Sequence, residues 1–277
     1  MEPAPQPDAR LIRAVEQAIR QKLEARAGLV VAGICGAQGS GKSTLAEALR
    51  ARFAARGTAC AVLSLDDLYL PRAERLELAH RVHPLLATRG VPGTHDVALG
   101  LRTLAALERG EAAALPRFDK ARDDRAPAAQ WPRAPADCGR LRLEGGGRGA
   151  RPQDGAARAE PVNALERLED AGGLWRGHAN AALAGDYQRL FARLDVLVLL
   201  AAPGFEVVRR WRGEQEAALL RRDPAASRAM DGAALDRFIS HYERLTRHIL
   251  AEMPARADLT AWLDEGRGLR GFGPVPP

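Results

Sequence analysis

Cysteine, aromatic residues and lysine are all scarce in this chain of 277 residues. The three cysteines, Cys35, Cys60 and Cys138, form no CxxC pair and stand at no Cys/His spacing. That excludes a disulfide scaffold and a zinc finger, and it fits a reducing cytosol. A chain of this length can bury a full core without such staples. Phe, Trp and Tyr together make up 5%. No stretch approaches the roughly 18 uninterrupted apolar residues of a membrane-spanning helix. The first residues, rich in proline, lack a basic stretch followed by an apolar core, so they do not read as a signal peptide. A cytoplasmic protein without a membrane partner is the expectation.

All but three of the 41 Lys and Arg residues are arginine; the exceptions are Lys22, Lys42 and Lys120. The net charge is +6. A basic balance invites a nucleic-acid reading. The arginines, however, are spread along the chain and interleaved with Asp and Glu, which argues for a compositional bias and against a binding patch. A site for small anionic ligands is the better use of some of these charges.

The hydrophobic pattern alternates between strands and helices. Leu11, Val15, Ile19 and Leu23 recur at helical spacing. Leu29–Cys35 and Ala59–Leu65 read as buried strands, separated by a helix whose apolar face is Leu45, Leu49 and Phe53 and which stops at Gly57. Further helices are expected near Ala73–Val82, over Val97–Arg109, through Leu183, Tyr187, Leu190 and Leu194, over Gly204–Arg222, and through Leu235, Phe238, Tyr242, Leu245, Ile249 and Met253. Leu141–Glu144 and Val196–Leu200 read as strands, and Asp258–Gly271 as a hairpin around Glu265-Gly266. Residues 1–8 are expected to fray, and 116–139 and 145–161 to form long loops. The order implies an α/β, three-layer fold: a mainly parallel sheet covered on both faces, within a single domain over 1–277.

The strongest motif is Gly36-Ala37-Gln38-Gly39-Ser40-Gly41-Lys42-Ser43-Thr44. It matches the P-loop pattern, GxxxxGK followed by Ser or Thr, between a buried strand and an amphipathic helix. Glycines let backbone N–H groups turn inward around a phosphate, and the helix N-terminus adds unpaired donors and the positive end of a dipole. Lys42 is placed to reach the β- and γ-phosphates, and Ser43 to offer its hydroxyl to Mg²⁺. Asp66 and Asp67 follow at the end of the second strand, where the carboxyl ends of parallel strands line a binding crevice. A carboxylate there can accept a proton from an attacking hydroxyl or help to hold the metal.

Four further segments resemble the D-glycerate 3-kinase family of P-loop small-molecule kinases, which are related to uridine kinase, phosphoribulokinase and pantothenate kinase. They are SerLeuAspAspLeuTyrLeu at 64–70, ArgGlyValProGlyThrHisAsp at 89–96, ProArgPheAspLys at 116–120 and TrpArgGlyGluGlnGlu at 211–216. The resemblance implies a helical lid and transfer of the ATP γ-phosphate, with Mg²⁺, to D-glycerate. It implies Asp66 as base or metal partner, with Asp67 and Tyr69 beside it. It places Arg89, His95, Asp96, Arg117, Asp119 and Lys120 at the acceptor, with Arg125 as another anion contact. Arg209 and Arg212 become lid residues facing the transferring phosphoryl group, and Glu144 a metal partner. Arg117 and Lys120, then Arg89, are the candidates to pair with the acceptor's carboxylate.

The sequence departs from the family at 138–153. The family has a strongly apolar strand there; this chain has Arg140 and Arg142, followed by a run of glycines. An Arg in a central strand costs several kcal/mol unless paired, so either the strand shifts to release its arginines or this half of the site is weakened. Two alternatives stand beside glycerate phosphorylation: a kinase of the same superfamily acting on a nucleoside, pantothenate or polyol, and a nucleotide-binding protein with impaired catalysis. Scarce aromatics in 71–125 favour a small acid over a nucleoside. The sequence does not separate ATP from GTP.

Overall fold

The computed structural model describes residues 7–25, 28–136, 140–144, 149–222 and 232–277; the side chains of 140–144, 218–220 and 222 lie outside that description. Six strands form the main sheet: β1 (Val30–Gly36), β2 (Cys60–Ser64), β3 (Arg140–Glu144), β4 (Val196–Ala201), β5 (Leu259–Leu263) and β6 (Leu269–Phe272). Their order is β6-β5-β4-β1-β3-β2. β1 pairs in parallel with β3 and β4, β3 with β2, and β4 with β5. β6 alone runs antiparallel, returning on β5 through the expected hairpin.

In chain order the helices are α1 (Ala9–Ala25), α2 (Lys42–Ala54), α3 (Arg72–Arg81), α4 (Val97–Glu108), α5 (Gly155–Ala159), α6 (Ala164–Glu169), α7 (Leu174–Ala184), α8 (Asp186–Phe191), α9 (Val207–Arg222) and α10 (Gly232–Glu252). Every residue of β1 is buried, and its two faces feed two cores. Val30, Ala32 and Ile34 pack with Leu11, Val15 and Ile19 of α1, Leu45, Leu49 and Phe53 of α2, and Val208 and Trp211 of α9. Val31 and Cys35 pack with Leu104 and Leu107 of α4, Leu190 of α8 and Ile249 of α10. A strand apolar on both faces needs a helical layer on each side, and the chain supplies both.

Three expectations need correction. The single helix through Leu183, Tyr187, Leu190 and Leu194 is two helices. Gly185, at φ −90° and ψ −123°, leaves the helical region between α7 and α8, and Leu194 lies past the end of α8. The loop after Pro116 is folded on itself: Ala113–Ala114 pairs with Arg133–Ala134, and Phe118–Asp119 with Asp124–Arg125. Within 149–161, Asp154 caps the short helix α5 by accepting from the Ala157 N–H. At 138–153 a shifted β3 is one of the two alternatives read from the sequence. Its backbone is not displaced, but holds an unbroken register from Arg140 to Glu144 against both β1 and β2. The glycines at 145–148 and the side chains of Arg140, Arg142 and Glu144 fall outside the described residues, as does most of the stretch expected to fray, 1–6.

Candidate active site

The phosphate loop runs from the end of β1 into α2. Gly39 and Gly41 have φ of +77° and +88°, a backbone region that disfavours any Cβ. Gly39 has a second reason to be glycine: a Cβ there would stand 2.6 Å from Trp211 Cβ. Gly41 is the N-cap of α2 and no side chain caps that helix, which suits a terminus whose N–H groups serve an anion. Lys42 Nζ donates to the Ala37 carbonyl at 2.7 Å. Gly36, Gly39, Gly41, Lys42, Ser43 and Thr44 line a cleft. Ser40 does not; it is buried, and among the described residues its hydroxyl has no hydrogen-bond partner.

The two neighbouring aspartates are separated by geometry. Asp66 lines the cleft. One of its oxygens accepts from Lys120 Nζ at 2.8 Å and the other from the Tyr69 hydroxyl at 3.0 Å. Burial pushes its pKa up, but the charge and hydrogen bond of Lys120, the Tyr69 hydroxyl and the charge of Lys42 together outweigh it, and the carboxyl is held well below the usual range. Asp67 points away from the cleft. It accepts from the backbone N–H groups of Ser64 and Phe118, at 3.3 and 3.2 Å, closing a capping box with Ser64, and it pairs with Arg117 at 3.4 Å. Burial raises its pKa more than these partners lower it.

Residues 68–70 and 94–96 lie side by side, tied by Leu70 N–H to the Thr94 carbonyl and Asp96 N–H to the Leu68 carbonyl. That pairing sets Tyr69 against His95, with ring centroids 4.7 Å apart. Arg75, 1% exposed, fastens the surrounding loops by donating to the carbonyls of Leu70, Ala87 and Asp123. Arg89, His95 and Lys120 line the cleft beside Asp66, and Arg212 reaches it from α9. Arg89 pairs with Asp123, and Arg212 with Glu216.

The other expected contacts are elsewhere. Asp96 caps α4, accepting from the Leu99 N–H, and takes Arg125 on its other oxygen. Arg117 spends its guanidinium on Asp67 and on the carbonyls of Pro116 and Val62. Asp119 accepts from the N–H groups of Ala121 and Arg122 and closes a turn. Arg209 pairs with Asp236 at the surface. These are local backbone and ion-pair duties, and none of the four residues, nor Asp67, lines the cleft.

Sequence reasoning missed an aromatic wall. Tyr187, Tyr242 and Phe238 join Tyr69 in the cleft, so all three tyrosines of the chain lie there. Tyr187 oxygen accepts from the Gly93 N–H at 3.0 Å and meets His95 Nδ1 at 2.6 Å. Tyr242 donates to the Arg89 carbonyl at 2.8 Å. Burial raises the pKa of both hydroxyls, so they stay protonated. Their scarcity in the chain is the signal that marks them.

The donor set fits a nucleotide with a hydrated divalent cation. Mg²⁺ takes one or two protein oxygens and completes its shell with phosphate and water; the Ser43 hydroxyl and Asp66 carboxylate lie on the same cleft. Among the described residues, no group of three or more His, Cys, Asp or Glu side chains is placed to hold a metal alone, and no helix is long and apolar enough to cross a membrane.

Fold and site together define a P-loop kinase of small molecules, a phosphotransferase with an alcohol acceptor. Residues 7–69 match the family model described as Methylmalonyl Co-A mutase-associated GTPase MeaB, a match that runs from α1 through β1, the phosphate loop, α2 and β2 to the turn that follows. The relatives are more informative. The "Uncharacterized kinase mug58" of Schizosaccharomyces pombe is 36% identical over 222 residues, 76% of this chain and 78% of that protein. The chloroplastic D-glycerate 3-kinase of Arabidopsis thaliana is 28% identical over 241 residues, covering 83% of this chain but 50% of that protein. The solved D-glycerate 3-kinase of Cryptococcus neoformans has the same fold, with a TM-score of 0.81 at 21% identity over 95% of this chain and 98% of that one. The chain belongs to the family of the mug58 kinase and is similar to D-glycerate 3-kinases.

Proposed function

We propose that this protein, acting as a single domain over 1–277, transfers the γ-phosphate of Mg-ATP to a hydroxyl of D-glycerate. One observation carries the reading: the phosphate loop, Asp66 and the cations Arg89 and Lys120 line a single cleft. A small hydroxy acid needs a cation for its carboxylate and an acceptor for its hydroxyl proton, and both stand there. Arg117, which does not line the cleft, yields the carboxylate to Arg89 and Lys120, which do.

Lys42 and the loop N–H groups hold the β- and γ-phosphates, with Ser43, Asp66 and Glu144 as candidate metal partners. Mg²⁺, when bound, neutralises charge on the phosphate oxygens. Asp66, ionised and held by Lys120 and Tyr69, accepts a hydrogen bond from the attacking hydroxyl and aims its oxygen in line with the γ-phosphorus. Its lowered pKa makes it a weak base, which suits a loose transition state in which little proton transfer is needed early. Arg212 exchanges Glu216 for the transferring phosphoryl group and stabilises its charge.

A second reading, an acceptor that carries a ring, is favoured by the aromatic wall of Tyr69, Tyr187, Tyr242 and Phe238. The scarcity of aromatics in 71–125 does not count against it, because three of these residues come from α8 and α10. The test is ADP release from Mg-ATP with D-glycerate, uridine, pantothenate or a polyol as acceptor. Turnover with D-glycerate that is lost in Lys42→Ala supports the first reading. Turnover with uridine alone replaces it with the second. ATP binding without transfer to any of them overturns both.

A further inference from the structure

The turn between β5 and β6 is remote in sequence from the phosphate loop, yet it touches it. The Asp264 carboxylate accepts from the N–H groups of Gly266 and Gly268, at 2.8 and 2.7 Å, and its carbonyl accepts from the Arg267 N–H at 3.1 Å. In this turn Arg267 has φ +70°; among the described residues, Asp123 is the one other non-glycine with positive φ. A left-handed arginine is strained where glycine would not be, and such strain persists where the surrounding structure holds it in place.

The Arg267 guanidinium bridges two elements of the active site. Nε donates to the Gly39 carbonyl at 2.7 Å, and Nη2 to the Trp211 carbonyl at 3.3 Å. Nη2 also pairs with Glu214 at 2.6 Å, and the group lies over the Trp211 ring, 5.2 Å from its centroid. The same turn grips α9 a second time: the Glu265 carbonyl accepts from Trp211 Nε1 at 2.7 Å and from Arg210. The next residue on α9 is Arg212, which enters the cleft.

We propose that Arg267 is a positioning residue: it fixes the orientation of the Gly39–Ser40 peptide and locks the phosphate loop to the helix that carries Arg212. The inference rests on the nucleotide reading given above. A trans peptide holds its C=O and N–H in opposite directions. With the Gly39 carbonyl pinned outward by the guanidinium, the Ser40 N–H must point back into the loop, where it donates to the Ala37 carbonyl at 3.3 Å. A glycine on one side makes this peptide easy to rotate. A flipped peptide would turn a carbonyl oxygen toward the bound phosphate and break the Ser40–Ala37 hydrogen bond that shapes the loop. The arginine prevents that from behind, without touching the ligand.

The test compares wild type, Arg267→Gly and Arg267→Lys by calorimetric titration with Mg-ADP and with Mg-tripolyphosphate, alongside the Tm of each nucleotide-free protein. Glycine removes the guanidinium and relieves the turn, so Arg267→Gly should keep or raise Tm while the Kd for both ligands rises about tenfold. Arg267→Lys, which keeps a donor and the charge, should recover part of that loss. Wild-type affinity in Arg267→Gly overturns the proposal. So does a loss confined to Mg-ADP, which would make the arginine a contact to the base, and so does a loss that only follows a fall in Tm. A wild-type protein that binds neither ligand overturns the nucleotide reading itself.

Discussion

Gly39→Ala tests the packing of the phosphate loop against the lid helix. The added methyl would lie 2.6 Å from Trp211 Cβ, and 3.1 and 3.2 Å from the Trp211 carbonyl carbon and oxygen. Carbon atoms rest at about 3.5–4.0 Å, so the overlap is about 1 Å. Trp211 cannot rotate away, because two of the three contacts are backbone and its ring is fully buried. The φ of +77° adds about 1–2 kcal/mol of left-handed strain, and overpacking about 1–3 kcal/mol more. At about 2–4 °C of Tm per kcal/mol for a chain of this size, the variant should melt at least about 4 °C lower. If the loop gives way instead, a displacement of about 1 Å costs about a hundredfold in turnover. The assay is thermal melting with and without Mg-ATP, followed by steady-state kinetics. Saturating nucleotide, at about 100 times Kd, stabilises wild type by about 2.7 kcal/mol; the variant should lose most of that gain. A variant with the wild-type Tm and an unchanged nucleotide shift would refute the packing argument, and with it the role of Trp211 in shaping the loop.

The paired aspartates should separate cleanly. Asp66→Asn should lower kcat about 10²–10⁴-fold with little change in Tm, whereas Asp67→Ala, which strips partners from Ser64, Phe118 and Arg117, should cost about 1–3 kcal/mol of stability and spare the turnover of the folded fraction. Equal kinetic defects in the two would end the distinction. Lys120→Met removes the strongest of the pulls that hold Asp66 ionised and leaves the burial that opposes them. In wild type, activity that depends on ionised Asp66 is lost only as pH falls well below the ordinary carboxylate range; in the variant that loss should begin at higher pH. An acid limb of kcat/KM that does not move would contradict the electrostatic account. Arg89→Met should raise the acceptor's KM by about 10–100-fold, the worth of a charge-assisted hydrogen bond, and leave the KM for ATP unchanged. A change in the nucleotide KM alone would place Arg89 at the wrong end of the cleft.

The sequence made legible what is written in neighbouring residues. The phosphate loop is a contiguous motif with a strand before it and a helix after it, and Asp66 sits where a parallel strand ends; both are read from local order. Asp66 and Asp67 look equivalent in sequence because both closely follow β2. What distinguishes them is a four-residue helical turn, Leu65–Leu68, which sends one carboxylate into the cleft and the other back to the Ser64 and Phe118 N–H groups. Asp96 shows the same limit. A His-Asp pair before a helix matches both a substrate contact and an N-cap, and the choice was made by Arg125, 29 positions away, which takes the second oxygen. Gly185 hid a helix break because a glycine within an apolar period reads equally as a tolerated one.

The acceptor end was the least legible part, for a physical reason. Its residues come from β2's end, the 89–96 loop, Lys120, α8 and α10, which only the sheet order and the packing of α8 and α10 bring together. Composition nonetheless held a clue. In a chain with three tyrosines, each is costly to bury unless its hydroxyl finds a partner, and here those partners are Asp66, the Gly93–His95 segment and the Arg89 carbonyl. Each hydroxyl thus fastens a different part of the acceptor loop or its carboxylate. The tyrosines do more than offer a face for stacking: they fix the cleft's polar groups before an acceptor arrives. A wall built that way is suited to hydrogen bonds in a set geometry, so the aromatic faces alone do not favour a ring over the small hydroxy acid proposed above.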